Sequence, residues 1–116
     1  MAENETSGSR LGERIECARS FLARLRGLLF RPPLAEGEGL WIEPCRSIHT
    51  MGMRYAIDAI FLDAEMRVVA IAERLRPWRA TRIQPRARAV LELPAGTVER
   101  SGTRVGDRLR LHPTSG

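Results

Sequence analysis

Ile57-Asp58-Ala59-Ile60-Phe61-Leu62, followed by Asp63-Ala64-Glu65 and then Val68-Val69-Ala70-Ile71-Ala72, decides the fold class. The first run is almost continuously apolar, the pattern of a strand covered on both faces. The second is rich in β-branched residues, which favour a pleated, half-buried surface. Asp63 to Glu65 reads as the connecting turn, although it contains no glycine. The two runs therefore predict a β-hairpin.

Outward from that hairpin the segments stay short. C-terminally, Arg74 to Ala87 is a long basic connection containing Pro77 and Pro85. Ala89 to Leu93 reads as a strand, closed by Pro94 and Gly96. Thr97 to Arg100 is a turn or short helical piece, and Gly106-Asp107 is a strong turn signal. Arg108 to Leu111 alternates charged and apolar residues, as a half-exposed strand does. N-terminally, Ser47 to Met53 reads as an extended piece, with Gly52 marking a bulge or a close backbone approach. Leu40 to Ile42 is a short strand ending at Pro44. Phe21, Leu22, Leu25, Leu28 and Leu29 recur at helical spacing behind Ser20, a suitable N-cap, and Pro32-Pro33 stops that helix. Arg14 to Ala18 reads as a strand. Residues 1–12 are polar and read as a disordered tail, residues 13–112 as a single domain, and residues 113–116 as a second tail. The expected class is mainly β (α+β): a compact antiparallel sheet curled into a small barrel-like body, with one short N-terminal helix.

Composition bounds the function. With 116 residues the chain fits one domain. It has only three Phe, two Trp and one Tyr, so its core must be aliphatic. The formal net charge is +5, and all 19 basic residues are arginine. Such a charge attracts nucleic acid, anionic lipid or acidic ligands; a GC-rich genome would produce the same arginine bias without any function. No apolar run is long enough to span a membrane. Cys17 and Cys45 follow a polar start, so a reducing cytoplasm and no disulfide are expected.

An ordered set of blocks resembles a known family. The blocks are Arg26-Gly27-Leu28-Leu29-Phe30-Arg31, Gly39-Leu40-Trp41-Ile42, Ile57 to Asp63, Val90-Leu91-Glu92-Leu93-Pro94-Ala95-Gly96 and Gly106-Asp107-Arg108-Leu109. Their order and spacing resemble the prokaryotic family catalogued as domain of unknown function 192, over roughly residues 13 to 112. The resemblance implies a compact β-rich domain with a short helix and no assigned activity. Many members carry Trp-Met-Lys-Asn-Thr before the Asp block, where this chain has His49-Thr50-Met51-Gly52-Met53, and Ala56 stands in place of their proline. Roles of those family residues therefore do not transfer.

Three groups of side chains are candidates for chemistry. Cys45 and His49 are four apart, a pair able to bind metal or to act as nucleophile and base. In an extended segment that spacing separates them by roughly 13 Å. The chain offers too few further soft ligands for zinc, so no metal and no cofactor are expected. The alternative is a small buried thiol and a hydrogen-bonded structural histidine. Asp58 and Glu92 are carboxylates embedded in apolar strands, which need partners because an unpaired buried charge is costly. Structural ion pairing competes here with an acid-base site at His49, Asp58 and Cys45. By strand parity Glu92 faces away from Leu91 and Leu93, which also allows it to reach solvent.

The third group is Arg74, Arg76, Arg79, Arg82, Arg86 and Arg88, with Trp78 among them and no acid between Glu73 and Glu92. Arginine beside an exposed aromatic suits phosphate contact and base stacking, or the grip of a carboxylate or an acidic protein surface. A solvated loop whose arginines pair with the body's acids is the plain alternative. No Walker pattern, dinucleotide fingerprint or Gly-x-Ser-x-Gly elbow occurs. The favoured reading is a non-enzymatic, cytoplasmic binding module for an anionic ligand or protein partner, using Arg74, Arg76, Trp78, Arg79, Arg82, Arg86, Arg88 and Glu92. Nucleic acid is possible but not favoured, no membrane is involved, and a monomer or weak homo-oligomer is expected. The rivals are an enzyme centred on His49, Asp58 and Cys45, and a structural subunit of an assembly.

Overall fold

Ile57–Leu62 forms strand β5, and every one of its residues is buried. The structure, a computed structural model, describes residues 1–18 and 33–112. β5 is buried throughout because it has a strand on each side and apolar cover on both faces. Its neighbours lie in a five-stranded sheet of order β3-β4-β7-β5-β6. Here β3 is Arg14–Ala18, β4 Glu38–Ile42, β6 Val68–Leu75 and β7 Ala89–Pro94. Side chains alternate across a strand, so β5 feeds two separate cores. Ile57, Ala59 and Phe61 pack with Leu40, Ile42, Ile48, Met53 and Val90. Ile60 and Leu62 pack on the other face with Ile15, Trp41, Leu91, Leu93 and Val98.

The expected hairpin is present: β5 and β6 pair antiparallel. Its turn manages without glycine because the Asp63 carboxylate does the local work. Asp63 Oδ1 accepts the amides of Glu65 and Arg67, each at 2.9 Å, while Met66 adopts a left-handed φ of 65°. β6 runs on to Leu75, three residues beyond the expected end. The Thr97 piece is a short helix, α1 (Thr97–Ser101).

Three expectations are corrected. The large sheet is mixed, not antiparallel, because β3 and β4 pair in parallel. It does not close: among the described residues no pairing joins β3 to β6, so the barrel-like curl is not formed as a closed barrel. Residues 1–12 are not a tail either. β1 (Ala2–Asn4) and β2 (Arg10–Gly12) join β8 (Leu109–Leu111) in a second sheet of order β2-β1-β8. Ala2 and Leu11 are buried in the core shared with Ile60 and Leu109. Asn4 is fully buried, and its side chain donates to Asp107 Oδ2 (2.9 Å) and Thr103 Oγ1 (3.3 Å). A few apolar side chains and one satisfied buried amide thus order a segment whose composition looks unstructured. The helix expected from Ser20, and the tail at 113–116, lie outside the described residues.

Gly39 on β4 shows how tightly the sheet and its cover meet. A Cβ there would lie 2.7 Å from Ile15 Cδ1 and 2.9 Å from Leu93 Cδ2. Only glycine permits that approach.

Candidate functional site

Two long loops run side by side from one end of the large sheet to the other, burying Ile48, Met53 and Ala87 against the face of Ile57 and Phe61. The first, residues 43–56, connects β4 to β5; the second, residues 76–88, connects β6 to β7. Backbone hydrogen bonds zip them together. The Cys45 amide donates to the Arg88 carbonyl (2.9 Å), Gln84 to Arg46 (2.8 Å), Thr81 to Ile48 (2.9 Å) and Thr50 to Arg79 (2.8 Å). His49 and Ala80 form an isolated antiparallel bridge. The 47–53 segment is thus extended only in part, and Gly52 (φ 82°) sits in its turn.

Thr50 is the hub of this pairing and is fully buried. Its hydroxyl donates to the Arg76 carbonyl (2.6 Å) and accepts from the Arg79 amide (2.9 Å). Its own carbonyl accepts the amides of Trp78 (3.0 Å) and Met53 (3.1 Å). One threonine therefore fixes the turn that carries Trp78. That turn is strained: Trp78 holds a left-handed φ of 62°, which costs a bulky side chain about 1–2 kcal/mol. Burial does not repay the cost, because Trp78 is 63% exposed. Backbone strain of this kind clusters at active sites and ligand clamps.

The surface around Trp78 is cationic. Arg46, Arg54, Arg76, Arg79, Arg82, Arg86 and Arg88 are all exposed on the two loops, and neither stretch 44–56 nor stretch 74–91 contains an acid. Arg88 is tied to Glu43 at 3.4 Å. Among the described residues the other six loop arginines form no ion pair. Elsewhere Arg108 and Arg110 pair with Glu3 and Glu5, whereas Arg67, Arg100 and Arg104 are, like the loop arginines, without an ion pair among the described residues. Arg74 pairs with Glu99, whose hydrogen bond and then charge raise the proton affinity of the guanidinium above its ordinary value. Arg74 therefore belongs with the body of the domain, as β6 places it. Ile83 (70% exposed) and Met51 (42%) add apolar area to the same loops as Trp78.

The remaining candidates are not gathered into an acid-base site. Asp58 is fully buried, and its carboxylate is consumed by backbone amides. Oδ1 accepts from Arg74 (2.8 Å), and Oδ2 from Gly96 (3.1 Å) and Val98 (2.8 Å). Those donors lie on the face of Ile60 and Leu62, whereas Cys45 packs on the opposite face with Ile57 and Phe61. The sheet itself separates the two. His49 is half-buried, and its Nδ1 accepts the Met51 amide at 3.3 Å. The Cys45 thiol donates to the Ser47 carbonyl at 3.0 Å. Cys17 and Cys45 are both free thiols. Glu92 is not part of the arginine surface. β7 is the middle strand, so parity turns Glu92 inward between Leu40 and Ala59; it is fully buried and not without a partner there. Among the described residues no three His, Cys, Asp or Glu side chains group to hold a metal ion, and no helix is long and apolar enough to cross a membrane.

Reading the Arg74–Arg88 segment alone misses Arg46, Arg54 and Met51. A signal for them exists: residues 44–56 are also free of acids, and acid-free basic stretches of similar length suggest one shared face. At the base of the zipper the loops and the β5–β6 turn enclose an open cleft of about 650 Å³. Its lining includes Pro44, Cys45, Arg46, Arg86 and Arg88.

Comparison with known proteins places this architecture. The family model DUF192, described as Uncharacterized ACR, matches residues 2–111. A UPF0127 protein of Pyrococcus furiosus is 34% identical over 111 residues, covering 91% of this chain and 93% of that protein. A UPF0127 protein of Pyrococcus horikoshii is 34% identical over 115 residues, covering 95% and 97%. A solved protein of unknown function from Novosphingobium aromaticivorans superposes with a TM-score of 0.74 at 27% identity, covering 84% of this chain and 74% of that one. A solved protein from Sinorhizobium meliloti, described as a putative transcription regulator, gives a TM-score of 0.71 at 27% identity, covering 83% and 79%.

Proposed function

The chain belongs to DUF192, an uncharacterised family, and from that premise we infer that it is a non-enzymatic, cytoplasmic binding module whose paired loops capture an anionic ligand or protein partner. One observation carries the reading. Six exposed arginines that form no ion pair among the described residues share the acid-free stretches 44–56 and 76–88 with the exposed side chains of Trp78, Ile83 and Met51. Like charges gathered without local neutralisation repel one another, and an acidic partner relieves that repulsion. Arginine and tryptophan are also the side chains that most often dominate binding interfaces. The face suits an acidic protein surface bearing an apolar recess for Trp78.

Reversing the charge of Arg79 and Arg82 to Glu tests this reading. Both side chains are exposed, so folding is expected to survive. Affinity capture from the native cell, with and without nuclease treatment, is then compared between wild type and variant. Loss of a defined partner in the variant supports the reading. Unchanged capture removes the loops from consideration.

A second reading, single-stranded nucleic acid, has two observations behind it. Trp78 stands exposed among arginines, as stacking on a base requires. The similar Sinorhizobium meliloti protein is the one described as a putative transcription regulator. Loss of capture on nuclease treatment alone would favour it. The acid-base reading of His49, Asp58 and Cys45 lacks support, because Asp58 and Cys45 lie on opposite faces of the sheet.

A further inference from the structure

We propose that the cleft at the base of the paired loops binds a small organic oxyanion, a phosphate or carboxylate carried on an apolar body. The cleft lies at the end of the zipper away from Trp78, where Cys45 meets Arg88 and Arg46 meets Gln84. It brings three arginines together, Arg46, Arg86 and Arg88, and none of the residues lining it is acidic.

Two of those guanidiniums are tethered in a way that presents them. Arg46 Nε donates to the Ala87 carbonyl at 3.3 Å. Arg88 Nε is held by Glu43 Oε1 at 3.4 Å. Guanidinium carries five N–H donors, so a tether through Nε leaves the terminal pair of nitrogens for a second acceptor. That pair matches the two oxygens of a carboxylate or phosphate. Their backbone is fixed as well: the Arg88 amide donates to the Leu62 carbonyl of β5 at 2.7 Å. Part of the ordering cost of binding is therefore met before the ligand arrives. Glu43 offsets one of the three positive charges and leaves a net excess.

The other walls are apolar, with Pro44, Pro85 and Ala87 among them. A volume of about 650 Å³ far exceeds what an inorganic ion fills and falls within the usual range for small-molecule sites. Charge selects the head group, and the walls select an apolar body. The inference shares the loops, and Arg46 and Arg86, with the binding-module reading, but it does not use Trp78, Arg79 or Arg82 and so fails separately.

Titration with phenyl phosphate, benzoate, inorganic phosphate and benzyl alcohol, followed through backbone amide resonances, tests it. Phenyl phosphate or benzoate is expected to shift Cys45, Arg46, Ala87 and Arg88 saturably, the tighter of the two naming the head group. Inorganic phosphate and benzyl alcohol are expected to bind more weakly than either. Arg46→Gln and Arg86→Gln are each expected to weaken binding by about tenfold, the loss of one charge-assisted hydrogen bond. Arg79→Gln, at the far end of the zipper, is expected to leave it unchanged. Shifts that never saturate, equal affinity for inorganic phosphate, or equal weakening by Arg79→Gln would each overturn the proposal. Loss of partner capture in the Arg79/Arg82 variant with intact phenyl phosphate binding would separate the two sites.

Discussion

Asp58 Oδ2 accepts the amide of Val98 at 2.8 Å across forty residues of sequence, and so a carboxylate near the start of β5 holds the first turn of α1. The same oxygen accepts the amide of Gly96, whose φ of 97° only glycine adopts without strain. The other oxygen takes the amide of Arg74 at a register shift, where Glu73 and Arg74 stand opposite Asp58. Asp58 thus joins the bulge in β6 to the start of α1. Asp58→Ala is expected to destabilise the domain by more than about 3 kcal/mol, since three backbone donors lose their acceptor at once. Asp58→Asn keeps the shape but turns an N–H toward donors, and is expected to cost about 1–3 kcal/mol. Urea unfolding of both variants checks the order. An activity that vanished in Asp58→Asn without loss of stability would contradict this structural role.

Thr50→Val removes the hydroxyl that serves Arg76 and Arg79 while keeping the volume. The expected cost is about 1–3 kcal/mol, because a buried acceptor and a buried donor lose their partner. Amide exchange at Trp78 and Arg79 is expected to accelerate, while exchange in β5 and β7 falls only with global stability. Equal acceleration everywhere would show that the loops are not held by Thr50.

Trp78→Gly relieves the left-handed backbone at an exposed site. Thermal unfolding is expected to show no destabilisation, and up to about 1 kcal/mol of gain from relieved strain, partly offset by the greater freedom of glycine in the unfolded chain. Partner capture is expected to fall sharply. A clear loss of stability in this variant would mean that the indole supports the fold.

Gly39→Ala places a methyl against Ile15 and Leu93. Overpacking is expected to cost about 1–3 kcal/mol, read as a lower urea midpoint with an unchanged m-value.

Local pattern is enough for β5, β6, β7 and α1, because period, β-branching and turn residues act over a few positions. It is also enough to single out the second loop, whose lack of acids is visible by inspection. It fails wherever a distant partner decides the outcome. Ala2 and Asn4 are buried only because β8 arrives beside them, and nothing near them in sequence records that. The parallel pairing of β3 with β4 is likewise non-local. Glu92 reads as able to reach solvent until β7 proves to be the central strand. In the first loop Cys45 and His49 stand out, whereas its arginines gain meaning only beside a partner loop some thirty residues away, as the Thr50–Arg79 contact shows.

The pairing of β1 with β8 has a consequence for biogenesis. Ala2 meets Leu111 and Asn4 meets Leu109, so β1 is made well before the strand it pairs with. At about 5–20 residues per second, that delay is roughly 5–20 seconds. Throughout it, the newborn β1 and β2 have an open hydrogen-bonding edge where β8 will dock. Nascent-chain complexes stalled before Leu109 should therefore be the species that chaperones and proteases engage.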